Sequence, residues 1–83
     1  MGLSVPRFYF DTREGATFTP DNEGVEFPSL DDAERAAAVA AAEMGRYCLP
    51  KGGDRDLTIE VRNQHRMRVL TVTVVMKIER NYP

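Results

Sequence analysis

"DLTIEVRNQHRMRVLTVTVVMKIE", residues 56–79, decides the fold of this chain. Its first part alternates. Leu57, Ile59 and Val61 point one way, and Thr58, Glu60 and Arg62 point the other. From Val69 onward the stretch is long and β-branched, with Leu70, Val72, Val74, Met76 and Ile78 as its apolar row. A period of two sustained over this length is the signature of half-buried strands. Parity also supplies the register. Pairing Val61 with Leu70, Ile59 with Val72 and Leu57 with Val74 gathers every apolar side chain on one face of a hairpin. The turn is then either His65-Arg66 alone or the four-residue loop Gln64–Met67. Neither contains glycine, so one of these residues has to accept a positive φ.

Working toward the N-terminus, "SLDDAERAAAVAAAEMGRYC" (29–48) reads as the one helix. Ser29 is a good N-cap, with Asp32 three residues on in a variant of the capping box. Asp31, Asp32 and Glu34 suit the positive end of the helix dipole. The stretch from 33 to 42 is dense in alanine, the strongest helix former. Leu30, Ala33, Ala37, Ala40, Met44 and Tyr47 recur at three- and four-residue spacing and are expected to form the buried stripe. Arg35, Ala38, Ala42 and Arg46 fall on the far side. Pro50, Gly52 and Gly53 stop the helix.

Ahead of the helix, "RFYFDT" (7–12) alternates as a strand, with Phe8 and Phe10 on one face and Arg7, Tyr9 and Asp11 on the other. "REGA" is a turn, and "TFT" (17–19) a short return strand. "PDNEG" (20–24) is turn chemistry throughout, and "VEF" (25–27) another short extended piece. The sum is one α+β domain over residues 1–83. Its small antiparallel sheet consists of an N-terminal strand or hairpin plus the C-terminal hairpin, covered on one face by a single alanine-rich helix. Phe8, Phe10, Phe18 and Phe27 are available to seed the core. A chain of 83 residues buries only about 60% of its unfolded surface, so a second subunit would help it.

"PRFYFD", Gly15, "DNEGVEFPSLDDAERAA" and "LTIEVRNQHRMRVLTVTV" occur in an order that resembles a family of small bacterial domains of unknown function. Its members show R-Y-[FY]-F-D near the start, D-x-x-G-x-E-[LF]-P before an alanine-rich helix, and a terminal hairpin. The resemblance spans Pro6 to about Glu79. It departs at the turn, where relatives often carry an Asp-Gly type pair in place of His65-Arg66. It implies no activity, cofactor or catalytic residue.

Charge and reactive residues exclude several functions. The net charge is −2, so the chain as a whole is no polyanion binder. Residues 1–34 carry two arginines against eight acids, while residues 35–83 carry nine basic residues against five acids. In one folded domain these halves are expected to pair within or between subunits. Cys48 is the only cysteine, so no intrachain disulfide forms, and a single reduced thiol fits a cytoplasmic protein. No apolar run is long enough to span a membrane, and the N-terminus has no secretory h-region.

A nucleophile–His–acid triad would need His65, the one histidine, with Cys48, Ser4, Ser29 or a threonine. Cys48 lies at a helix C-terminus, where the dipole disfavours a thiolate, and His65 sits on an exposed tip. One histidine and one cysteine cannot make a zinc site. Asp21-Asn22-Glu23-Gly24 is too short and wrongly spaced for a calcium loop, and reads as a turn. No catalytic, metal or cofactor residue is therefore expected. Arg62, Arg66 and Arg68 cluster at the hairpin tip and could contact an anion. A solvated, aggregation-resistant tip is the plainer reading, and nucleic acid is not the expected partner.

The reading that follows is a non-enzymatic protein that works by association, as a homodimer. One helix covers one face of the sheet. The other face is expected to carry Tyr9, Val69, Thr71, Thr73 and Val75, the kind of patch a second subunit covers, and the dimer is expected on this face or on the strand edge beside it. A runner-up is an antitoxin-like regulatory module. "GVEFPSLDDAERAAAVAAAEM" is similar to the strand-to-helix segment of small antitoxins of the HicB type, although no separate DNA-binding segment accompanies it. Nucleic-acid binding through the arginine tip ranks third, and an enzyme last.

Overall fold

A computed structural model describes residues 5–52 and 55–82. Ser4 and Gly53, named above as a candidate nucleophile and a helix stop, lie outside the described residues. The elements are β1 (Arg7–Glu14), β2 (Thr17–Thr19), β3 (Val25–Glu26), α1 (Leu30–Cys48), a short 3-10 turn (Leu49–Lys51), β4 (Arg55–Arg62) and β5 (Arg68–Met76). The sheet runs β2-β1-β4-β5, and β3 pairs with the start of β1. Every pairing is antiparallel. The domain is thus α+β, one helix on one antiparallel sheet.

The register of the C-terminal hairpin is the one that parity dictates: Val61 opposite Leu70, Ile59 opposite Val72, Leu57 opposite Val74. The turn is neither of the two loops expected. Asn63 N–H donates to the Met67 carbonyl and Arg66 N–H to the Asn63 carbonyl, which leaves a three-residue loop, Gln64-His65-Arg66. Arg66 takes the positive φ, at 63°. The Asn63 side chain accepts from the N–H groups of His65 and Met67, and so stands in for the missing glycine chemistry. An odd-length loop needs an extra residue on one strand. The register accordingly shifts between Val61 and Arg62, leaving Val69 without a partner across the ladder.

That bulge moves Val69. Strand parity predicts it on the open face, but it is half-buried and packs against the core. The strand also stops at Met76, so Ile78 is not part of the apolar row and is exposed.

The core lies between α1 and the hairpin. Leu57, Ile59 and Val61 are fully buried, with Phe8 beside them. On the helix the buried line is Ala33, Ala37, Ala41, Gly45 and Cys48. It is narrower than the expected stripe and rotated from it, because Leu30, Met44 and Tyr47 are exposed. The reason is close approach. A row of alanine and glycine at four-residue spacing lets the helix axis lie near the sheet, and a Cβ on Gly45 would already be in van der Waals contact with Val74 of β5, at 3.6 Å. Long side chains fit only outside that line. Ala40 is half-buried at its margin, while Arg35, Ala38, Ala42 and Arg46 face solvent as expected.

Ser29 caps the helix: its Oγ accepts from Asp32 N–H at 3.2 Å and donates to the Asp32 carboxylate at 3.0 Å. The helix packs on β4 and β5. A single helix cannot cover four strands, so an apolar groove of about 610 Å³ runs beside it, lined by Phe27, Pro28, Ala36, Val39 and Ala40. Phe18, expected in the core, is exposed on β2 because it lies opposite Arg13 and so shares the sheet face turned away from the helix.

Candidate functional site

The sheet face turned away from the helix divides into two parts of different chemistry. Over β1 and β4 it is ionic. Tyr9 lies opposite Arg62, Asp11 opposite Glu60, and Arg13 opposite Thr58. Asp11 is only 3% exposed. A buried carboxylate has to be paired and hydrogen-bonded, and it is: Arg62 Nε donates at 2.7 Å and Nη2 at 3.3 Å. The same carboxylate accepts the Asp21 N–H at 2.9 Å. Arg62 also lies 5.9 Å from the centre of the Tyr9 ring. Glu60 faces both Arg13, at 3.6 Å, and Arg68, at 3.2 Å. Arg13 in turn stacks on Phe18 at 4.6 Å.

The loop that links β2 to β3 closes this ionic face. Asp21 accepts the N–H of Phe10 from β1, between the residues that β3 and β2 pair with, and so completes that edge with a side chain. It also accepts from Glu23 and Gly24 N–H. Its partial burial works to raise its pKa. The N–H donors of Gly24, Phe10 and Glu23, with the Arg62 charge, outweigh burial and hold Asp21 below its ordinary value. Gly24 has a φ of 71° and sits where a Cβ would be 2.9 Å from Arg7 Cγ, the Phe8 carbonyl oxygen and Tyr9 Cε1. The "DNEG" segment is therefore turn chemistry, with its carboxylate directed at N–H groups. Among the described residues no group of three or more His, Cys, Asp or Glu is placed to hold a metal ion.

This geometry reorganises the arginine cluster. Arg62 is committed to Asp11 and Arg68 to Glu60, which leaves Arg66 as the tip arginine without a carboxylate partner among the described residues. A polar depression of about 370 Å³ adjoins it, lined by Tyr9, Asp21, Asn22, Arg62, Gln64 and Arg66. Cys48 and His65 are not brought together. Cys48 packs near Leu57, at the start of β4, while His65 lies past its far end. Eight strand residues span roughly 25 Å.

Over β5 the open face is different. Thr71, Thr73 and Val75 are exposed, and no charge occurs between Val69 and Met76. Thr73 Oγ1 meets Thr58 Oγ1 at 3.3 Å. Among the described residues β5 is also the outer strand of the sheet, paired only with β4. Tyr9 shares this face but not this patch, since β4 lies between β1 and β5. The residues that sequence reasoning missed are Asp21 and Glu60, as organisers of the ionic face. Strand parity was enough to put Glu60 and Arg62 on one face, but nothing in it brings a loop carboxylate back to the β1 edge.

Fold and surface together define a one-helix antiparallel α+β domain with an ionic face and a bare neutral outer strand. Residues 7–75 match the domain of unknown function DUF6894, and the chain belongs to that family. No curated protein and no solved structure matches the chain. No described helix is long and apolar enough to cross a membrane.

Proposed function

We propose that this domain is a non-enzymatic association module that forms a homodimer through β5, by antiparallel pairing of its outer edge with β5 of a second copy. The observation that carries this reading is the composition of the edge. β5 is nine residues long, lacks proline, and has no charge between Arg68 and Lys77. Natural outer strands are usually short, charged or covered, because unpaired N–H and C=O groups invite another strand. An antiparallel edge can pair with its own copy about a two-fold axis, which closes the assembly at two subunits. The small core favours the same outcome.

Light scattering on the wild type and on a Thr73→Lys/Val75→Lys variant tests the reading. Both side chains are exposed, so the fold tolerates the change, while like charges set opposite each other oppose pairing. The wild type is expected at twice the mass of one chain at micromolar concentration, and the variant at the mass of one chain. A monomeric wild type overturns the reading. A wild type held in a complex with a different protein would replace it with the antitoxin-like alternative.

A further inference from the structure

We infer that in this dimer residues 77–82 of each subunit lie along the hairpin tip of the other, with Glu79 paired to the partner's Arg66. The inference rests on the β5 reading above and adds to it the contact that fixes register. A nine-residue edge alone makes a narrow contact, whereas stable interfaces bury roughly 1,200–2,000 Å² in total. The chain leaving β5 is exposed along its length, with Tyr82 at 79% and Ile78 at 57%. In an antiparallel pair it runs on past the start of the partner's β5, where the three-residue loop stands.

The neutral stretch Val69–Met76 has its middle at Val72-Thr73. A two-fold axis at Thr73 sets Glu79 opposite Met67, because each lies six residues away. An axis at Val72 sets Glu79 opposite His65 and one at Val74 sets it opposite Val69, so the Thr73 axis is the one that brings Glu79 beside Arg66. Two features of the tip match it. Arg66 is exposed and has no ion pair among the described residues, and Met67 is 62% exposed and apolar. Among the described residues Glu79 has its ion pair with Lys77, at 3.2 Å, and both side chains are about two-thirds exposed. Such a pair contributes little, so exchanging it for the partner's Arg66 costs little.

The test is charge reversal read by dilution of the dimer, followed by light scattering at low salt. Glu79→Arg and Arg66→Glu are each expected to raise the dissociation constant about tenfold, as for a lost charge pair turned repulsive. Combining them should return it to within about threefold of wild type. Arg66→Ala, which introduces no new charge, should have the smaller effect, and circular dichroism reports whether each variant is folded. Indifference to Glu79→Arg, or the absence of rescue in the combination, overturns the tail contact. A dimer that the lysine pair dissociates but Glu79→Arg leaves intact would keep the β5 reading and discard this one.

Discussion

Replacing Gly24 by alanine tests whether the loop between β2 and β3 is seated on β1 as described. Two costs add. A non-glycine residue at a φ of 71° carries a left-handed penalty of about 1–2 kcal/mol. The new Cβ would then lie 2.9 Å from Arg7 Cγ, Tyr9 Cε1 and the Phe8 carbonyl oxygen. The two side chains can move, but the carbonyl belongs to β1, which pairs there with β3. Overpacking of this kind costs about 1–3 kcal/mol.

The total, about 2–5 kcal/mol, is a large fraction of the roughly 5–15 kcal/mol that holds a native domain folded. Gly15→Ala is the control. Its φ of 57° gives the same conformational penalty, but nothing lies within 4 Å of its Cβ. Urea unfolding followed by far-ultraviolet circular dichroism, at one fixed protein concentration, compares the two. Gly24→Ala is expected to lose at least about 1 kcal/mol more than Gly15→Ala. Equal losses would refute the close approach of the loop to β1.

Two further outcomes follow from the helix and the loop. Ala41→Glu places a carboxylate at a fully buried position and should leave the domain unfolded or molten, while Ala42→Glu, on the solvent side, should be nearly silent. Ala40→Glu, at the margin, is expected between them, and melting temperatures that put Ala40 above Ala41 in severity would contradict the observed face. Asp21 has a folded pKa below its ordinary 3.8, so its contribution is complete above that value and is lost as pH falls through the folded one. The stability gap between wild type and Asp21→Asn should therefore be wide at pH 7 and close on acidification below about pH 4; a gap that does not change with pH would show that the charge is not what matters.

The hairpin and the helix were legible in the sequence because each follows from a local period. Alternation in Leu57–Val61 and Leu70–Met76 is enough to set the register, and Ser29 with Asp32 marks the helix start. The bulge at Val69 was not legible, because it depends on how Asn63 folds its side chain back over the loop. The buried line of the helix lies about one position from the stripe that amphipathic spacing predicts. The rule for amphipathic stripes favours large residues inside, whereas this helix lies close to the sheet through Ala33, Ala37, Ala41 and Gly45 and leaves Met44 and Tyr47 outside. The ionic face was half visible. Parity puts Asp11, Glu60 and Arg62 on one side of the sheet, but the Asp21 bridge joins residues through a loop whose path no periodicity describes. The neutral run of β5 was plain from the start. That β5 is an outer strand became clear only from the order β2-β1-β4-β5.

The pairing of β5 with its own copy is tested most directly by a single cysteine at its centre. In a Cys48→Ala background, which removes the buried thiol, Thr73→Cys places one sulfur beside the proposed two-fold axis. Directly opposed residues of antiparallel strands lie roughly 4.5–5.5 Å apart at Cα, within the range a disulfide spans. Mild oxidation at micromolar concentration should convert this variant almost completely to a covalent dimer, while Ala38→Cys, exposed on the outer side of the helix, stays a monomer under the same conditions. Equal, slow cross-linking of the two variants would contradict the account.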